Sequence, residues 1–428
     1  MNPEPADGPP ASAGRLGVYV HFPWCLKKCP YCDFLSVAYA SPSALPHQAY
    51  ADRVLDELRQ RCELLDPKTQ LSSVFFGGGT PSLWEPTALG RVLTGIRERF
   101  SVADDVEVTV ECNPTSLDLE RANRLADVGV GRLSIGVQGL NNQRLEFLGR
   151  LHDADLGLAA VRAGVASRVP RISADLIFGV HGQSPAEARG EVRQVAELGV
   201  EHLSAYALTV EPGTVFGALA RKGRLPQAPD DSVADAFLAV EAELADCGLA
   251  HYEISNYARA GCESRHNLGY WRGHEYLGLG TGAWGTLRVD ALRNKQELPM
   301  GAQRVRYRSL TSPERYLACE FAEPFELGTC LSEREWLDGE TLLSERLMLG
   351  LRLHEGVDVL ACAQQLGVEA LPAPRLRALR RRVARGQLEV LRAGVVAGAS
   401  VDELRVGDRL RIPRRAWLGA DSVIADVL

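Results

Sequence analysis

The 428-residue sequence has no uninterrupted apolar run of about 18 residues, the length a bilayer-spanning helix needs, so no such helix is expected. Its first fourteen residues, MNPEPADGPPASAG, lack the basic start and the apolar stretch of a secretory signal. They also have almost nothing to bury, and a disordered tail is expected there. Positive charge is not in excess. Against 55 Asp and Glu stand 48 Lys and Arg, a net charge of −7, so no global field draws the chain to nucleic acid or anionic lipid. Cysteine, at ten residues, is too sparse for a disulfide scaffold. Apolar content is an ordinary 46%, which excludes collagenous and largely disordered classes. The expectation is a globular, cytoplasmic protein with one large core or two to three domains.

Beyond the tail, short β-branched or aromatic runs alternate with longer segments of helical period. The pattern predicts strands at 17–22, 73–76, 106–111, 132–137, 171–178 and 203–210. Helices are expected near 47–64, 87–99, 117–128, 153–167, 185–198 and 231–247. Strands spaced by helices imply an α/β fold with a parallel sheet. Six strands are too few for a closed eight-stranded barrel, and an open partial barrel and a doubly wound sheet both fit. In either, functional residues belong at the carboxyl ends of strands. The stretch from 214 to 335 is less regular, and its Gly-, aromatic- and His-rich part reads as loops over a pocket. From about 340, helices near 341–353, 358–366 and 375–385, then strand-like runs near 387–397 and 408–413, suggest a winged-helix-like module.

The strongest chemical signal follows the first strand: Cys25-Leu-Lys-Lys-Cys29-Pro-Tyr-Cys32. Soft thiolates at this spacing select zinc, copper(I) or iron–sulfur centres. Three is one short of a cluster's usual four protein ligands, which leaves an iron free to bind a small molecule, as S-adenosylmethionine radical chemistry requires. Zinc with His21 or a distant His as fourth ligand, or three structural cysteines, are the other readings. At the end of the second strand stands Gly77-Gly78-Gly79-Thr80-Pro81. Such glycines either make a tight turn or let backbone groups approach a ligand, as N–H donors to a carboxylate or carbonyls to an ammonium.

Taken together, YVHFPWCLKKCPYCDF, FFGGGTPS, VECNP, IGVQ, DLIFG and HNLGYW resemble the radical S-adenosylmethionine family of oxygen-independent coproporphyrinogen III oxidases, and more narrowly its HemW-type haem-chaperone branch. The resemblance implies a partial (β/α)6 barrel over 15–213, an extension carrying the haem motif over 214–339, and a winged-helix-like C-terminal domain over 340–428. It implies a [4Fe–4S] cluster on Cys25, Cys29 and Cys32. It also implies contacts to S-adenosylmethionine from Tyr19, Tyr31, Gly78, Gly79, Thr80 and Glu111, with Gln138, Arg150, Asp175 and Ala207 at positions that contact a second such molecule in the decarboxylase relatives. Phe34 stands where those decarboxylases carry a further cysteine, and the chain before the cysteine loop is too short and polar to match their lid segment. Coproporphyrinogen oxidation is therefore not expected, while other enzyme activity is left undecided.

The sequence His266-Asn267-Leu-Gly-Tyr270-Trp271 fits the motif that the resemblance links to haem. His is the commonest axial ligand of haem iron, and Tyr a rarer one. A packed aromatic loop is the competing reading, with Cys262 and His274 as alternative ligands. As an iron ligand, His266 predicts haem binding that weakens as pH falls through the ordinary imidazole value of about 6.5. The expected partner is a haem-acceptor protein, and a homodimer is compatible with the sequence. Six arginines between Arg375 and Arg385 are read as a solvated or partner-facing helix more than as a nucleic-acid site.

Overall fold

The computed structural model describes residues 15–39, 41–63, 65, 69–289, 298–321, 327, 329–398 and 400–428; the tail expected at 1–14 lies outside them. A twelve-stranded sheet dominates the fold. In chain order its strands are β1 (Arg15–Phe22), β2 (Gln70–Gly78), β3 (Ser101–Cys112), β4 (Arg132–Gln138), β5 (Arg171–Phe178), β6 (His202–Ala207), β7 (Ala250–Glu253), β8 (Asn256–Ala258), β9 (Glu275–Leu279), β10 (Trp284–Arg288), β11 (Arg304–Ser309) and β12 (Leu331–Leu337). The spatial order is β12-β11-β10-β9-β1-β2-β3-β4-β5-β6-β8-β7. From β9 to β6 all neighbours run parallel, and the strands outside them are antiparallel. The sheet is open, as expected, and its parallel part has a seventh strand, β9, that the sequence pattern does not reveal.

Helices α1 (His47–Cys62), α2 (Pro86–Arg99), α3 (Leu119–Asp127), α4 (Ala154–Ala166), α5 (Pro185–Ala196) and α6 (Asp230–Asp246) fall where helical period is read. Side-chain caps start several of them: Asp118 on α3, Asp153 on α4, and a Ser184/Glu187 capping box on α5. Strand alternation sorts side chains between two faces. In β1, Val18, Val20 and Phe22 are buried in the main core, while Gly17, Tyr19 and His21 take the opposite face.

The segment read as loops over a pocket instead contains a helix, α7 (Arg265–Trp271), followed by β9 and β10. Helix α7 shows that the sheet curls. It bonds Ser73 of β2 and Glu107 of β3 through His266, and Tyr252 and Glu253 of β7 through Asn267. In a flat sheet β2 and β7, six steps apart, would lie roughly 29 Å from each other, far beyond a seven-residue helix. The strands therefore wrap around a common interior, and α7 closes one end of it as a floor.

Glu57 of α1, fully buried, ties the outer strands to the barrel. Its carboxylate accepts from Gly280 N (2.8 Å), Ser309 Oγ (2.7 Å) and the Tyr316 hydroxyl (2.6 Å), and pairs with Arg61. After β12, helices α8 (Gly339–Gly350), α9 (Val359–Leu366), α10 (Ala373–Ala384) and α11 (Ala420–Val427) surround a second core that includes Leu343, Leu347, Val390, Leu410 and Val423. A three-stranded sheet, including Glu389–Arg392 and Arg409–Arg411, completes this part. The arginine-rich helix is α10. Arg380 pairs with Asp402, Arg381 and Arg382 pair with Asp426, and Arg375 donates to the carbonyls of Val427 and Leu428. Much of its charge is spent inside the module.

Candidate cofactor site

The cysteine loop leaves the carboxyl end of β1, where parallel α/β folds place their chemistry. Its entrance is pinned by a two-residue parallel pairing of Trp24 and Cys25 with Val37 and Ala38. The glycine turn clasps the same entrance: Gly79 N donates to Phe22 O (2.7 Å) and Thr80 N to Trp24 O (2.8 Å). A Cβ on Gly79 would sit 2.5 Å from the Trp24 carbonyl oxygen, and one on Gly78, where φ is +113°, 2.5 Å from the His21 ring. Backbone cannot yield as a side-chain tip can. Gly79→Ala is therefore expected to cost about 1–3 kcal/mol, read as a lower urea midpoint, together with reduced iron retention. An unchanged midpoint and full iron content would mean that the clasp is dispensable.

Cys25 is buried, while Cys29 and Cys32 are partly exposed. Cys29 Sγ lies 3.7 Å from Arg150 Nη1, whose Nη2 donates to Gly136 O (2.9 Å). Arg150 Nε is buried with no partner. Among the described residues, no three His, Cys, Asp or Glu side chains gather around one point where a single ion would sit. The zinc reading also loses His21, whose ring nitrogens are both engaged. Nε2 donates to Leu35 O (2.8 Å), and Nδ1 accepts from the Tyr19 hydroxyl (2.9 Å). Burial holds this imidazole down to about 4, which fixes it as the neutral form.

Glu111 and Asp175 face the interior near the cysteine loop. Gly78 N donates to Glu111 Oε2 (3.0 Å), and Ser134 Oγ donates to Asp175 (3.0 Å). Burial pushes Glu111 up to about 8, with the Asp175 charge adding to it against the Gly78 hydrogen bond. Asp175 is raised as well, chiefly by burial. Gln138 ends β4 at a register shift with φ +67°, a left-handed conformation unusual outside glycine. Its amide lies over Gly136, where any Cβ would meet Gln138 Nε2 at 2.8 Å. Gln138, Arg150 and Cys29 thus share one corner. Tyr31 packs on Phe216 at 6.4 Å, and Ala207 ends β6, exposed. A small cleft joins Cys29, Thr80 and Arg150 with Asn113, which lies in VECNP without an assigned role, and with Thr115, just beyond that motif.

The His-Asn-x-x-Tyr-Trp segment lies at the opposite end, on the floor helix. His266 is partly buried, its Nδ1 3.0 Å from Ser73 Oγ and its ring stacked on Phe75 at 5.0 Å. Tyr19 lies 6.4 Å beyond, between His266 and His21. Burial holds His266 down to about 4, against the attraction of Glu107. Tyr270 is 49% exposed, and Trp271 Nε1 is buried without a partner. Cys262 is buried against Arg171, and burial also holds His274 down to about 4. Sequence patterns miss the frame that carries α7: Glu107 bonds His266 N (3.2 Å) and pairs with Arg132, which donates to the Cys262 and Glu263 carbonyls. The structure thus brings the cysteines, the glycine turn, Glu111, Gln138, Arg150 and Asp175 to one mouth and leaves the histidine motif at the other.

Known proteins resemble this chain in sequence and fold. The family model of the radical SAM superfamily matches residues 19–195. A Mycobacterium tuberculosis protein named "Heme chaperone HemW" is 33% identical over 420 residues, covering 98% of this chain and 96% of that one. The Escherichia coli protein of the same name is 37% identical over 297 residues, covering 68% and 76%. Among solved structures, coproporphyrinogen III oxidase (HemN) from Escherichia coli superposes with a TM-score of 0.74 at 20% identity, covering 97% of this chain and 90% of that one, a likeness of fold. With near full-length similarity to a named member and the cysteine loop at the open mouth of the sheet, the chain belongs to the HemW family within the radical S-adenosylmethionine superfamily.

Proposed function

We propose that this protein carries a [4Fe–4S] cluster on Cys25, Cys29 and Cys32, binds S-adenosylmethionine beside it, and holds haem in the cytoplasm for transfer to an acceptor protein. The residues fit these groups. Three cysteines from one short loop suit a cluster whose cysteines each hold a different iron. The Arg150 guanidinium, with a buried nitrogen unpaired, supplies positive charge to an anionic centre. Two buried carboxylates, both raised chiefly by burial, call for a cation, and S-adenosylmethionine brings an ammonium and a sulfonium. The N–H groups of Gly78, Gly79 and Thr80 are already bonded within the protein, so the turn has carbonyl rather than amide groups to offer, which suits the ammonium. When bound, the cluster supplies one-electron chemistry. The chain's own part is to hold it against the glycine clasp, neutralise it with Arg150 and orient the cofactor with Glu111 and Asp175.

For haem, the observation that carries the reading is the setting of His266. Its Nδ1 can give its proton to Ser73 Oγ, which leaves Nε2 as the metal-binding nitrogen, the arrangement common to metal-bound histidines. Tyr270 adds an aromatic face open to solvent. His266→Ala should shift the Soret band or weaken haem binding by about tenfold or more while iron and sulfide stay unchanged. Because burial holds the imidazole down to about 4, binding should persist at pH 5.5, below the window near 6.5 that the sequence alone suggests. An unchanged spectrum and affinity would pass the ligand role to Tyr270. Phe34, 60% exposed in the cysteine loop, supplies no further thiol of the decarboxylase kind, and haem transfer remains the better supported reading.

A further inference from the structure

Ten cysteines are free thiols, and three belong to the loop described above. Two others meet beside β12, the strand at one edge of the sheet. Cys319 follows the short helix Pro313–Leu317, and Cys330 directly precedes β12. Their sulfurs lie 3.0 Å apart across a span of eleven residues. Cys319 Sγ donates to the carbonyl of Thr329 (3.3 Å), and Cys330 Sγ to that of Glu320 (3.6 Å). Each thiol thus reaches the peptide beside the other cysteine, so the two backbone segments run side by side. The pair is anchored on the barrel, since Arg53 of α1 donates to Cys319 O (2.6 Å) and Tyr316 bonds the buried Glu57.

We propose that Cys319 and Cys330 form a reversible disulfide, a modification site whose co-substrate is a low-molecular-weight disulfide such as oxidised glutathione. The sulfurs must close from 3.0 Å to a bond of about 2.05 Å, a movement of about 1 Å. Cys319, the slightly more accessible at 7% against 0%, attacks first. Its thiolate takes one sulfur of glutathione disulfide and releases one glutathione. Cys330 then displaces the second glutathione and forms the protein disulfide. Two protein thiols lose two electrons and two protons, and one glutathione disulfide becomes two thiols. Burial pushes the Cys319 thiol up to about 12, so closure is slow and answers sustained oxidation rather than brief exposure. Once closed, the bond staples the connection into β12 against α1.

A single tryptic peptide, residues 316–334, contains both cysteines and no others. The reconstituted protein is incubated anaerobically with oxidised glutathione, unfolded in N-ethylmaleimide and digested. The expected result is that this peptide, in most molecules, lacks two hydrogens and both maleimide labels, and regains both labels after dithiothreitol. Cys319→Ser and Cys330→Ser should give no such species, and Cys29→Ser should still give it, which separates the pair from the cluster ligands. Bound iron and sulfide in the wild type should not change with closure. A peptide 316–334 that keeps both labels under prolonged oxidation overturns the proposal. So does one that carries glutathione without ring closure, or a disulfide from Cys319 to another cysteine or another chain.

Discussion

Serine in place of Cys29 is expected to remove the broad absorbance near about 400 nm and to reduce bound iron from about four per chain to near zero after anaerobic reconstitution. A serine hydroxyl is a hard, protonated group at neutral pH and replaces a soft thiolate poorly. Three protein ligands leave no spare to compensate. The fold itself should barely respond, because Cys29 is partly exposed and its carbonyl keeps its bond from Cys32 N (3.1 Å). The urea midpoint of the cluster-free chain should therefore stay within about 0.5 kcal/mol of wild type. Cys112→Ser and Cys319→Ser should keep the cluster, since neither thiol lies in the loop. Stoichiometric zinc without sulfide in the wild type, or full iron in the Cys29 variant, would reject the cluster assignment.

The parallel core was legible because each of its units is local: a short β-branched run, a turn, then a helix with an apolar stripe. The pattern failed at α7 and β9 for physical reasons. Helix α7 has seven residues, none of them fully buried, and is held by the Ser264 cap and by His266 reaching the barrel wall. No apolar stripe exists to be read. Strand β9 is short and glycine-containing, and its stabilising neighbour is β1, some 260 residues earlier in the chain. The site divides in the same way. Cys25, Cys29, Cys32 and the glycine turn carry their chemistry in adjacent residues. Ser73, Glu107 and Arg132, which seat the floor helix, sit on three adjacent strands far apart in the chain and become neighbours only when those strands pair. The cysteine pair at 319 and 330 was equally hidden, because nothing in their spacing says that the two segments run side by side.

The barrel's buried histidines should make stability fall steeply on acidification. His21, His152 and His202 are each at most 5% exposed, and burial holds them down to about 4, 4 and 3. Burial outweighs the carbonyls of Leu35 and Val137, which by accepting from His21 and His152 favour the charged rings. His152 Nε2 donates to Val137 O (2.9 Å), and His202 sits between Ser173 Oγ (2.7 Å) and the Tyr252 hydroxyl (2.8 Å). In the unfolded chain each would titrate near 6.5. Between that value and the folded one, the unfolded state binds more protons, so the stabilisation is complete above about pH 6.5 and is lost as pH falls toward 4. Glu111 works in the opposite sense: raised to about 8, it favours the fold at low pH and loses that contribution as pH rises through 8. Asp175 and Glu253, also raised by burial, act likewise. Histidines outweigh these carboxylates once His251, His266 and His274, also held down by burial, are added. The net slope should be about 1–3 kcal/mol per pH unit between pH 6.5 and 4.5, measured from urea midpoints of the cluster-free chain so that iron release adds nothing. His202→Asn should flatten the slope by about one proton, or roughly 1.4 kcal/mol per pH unit, at some cost in stability at pH 7.5. A midpoint constant from pH 7 to pH 5 would mean that these rings take up protons without unfolding, and that the interior is wetter than its packing implies.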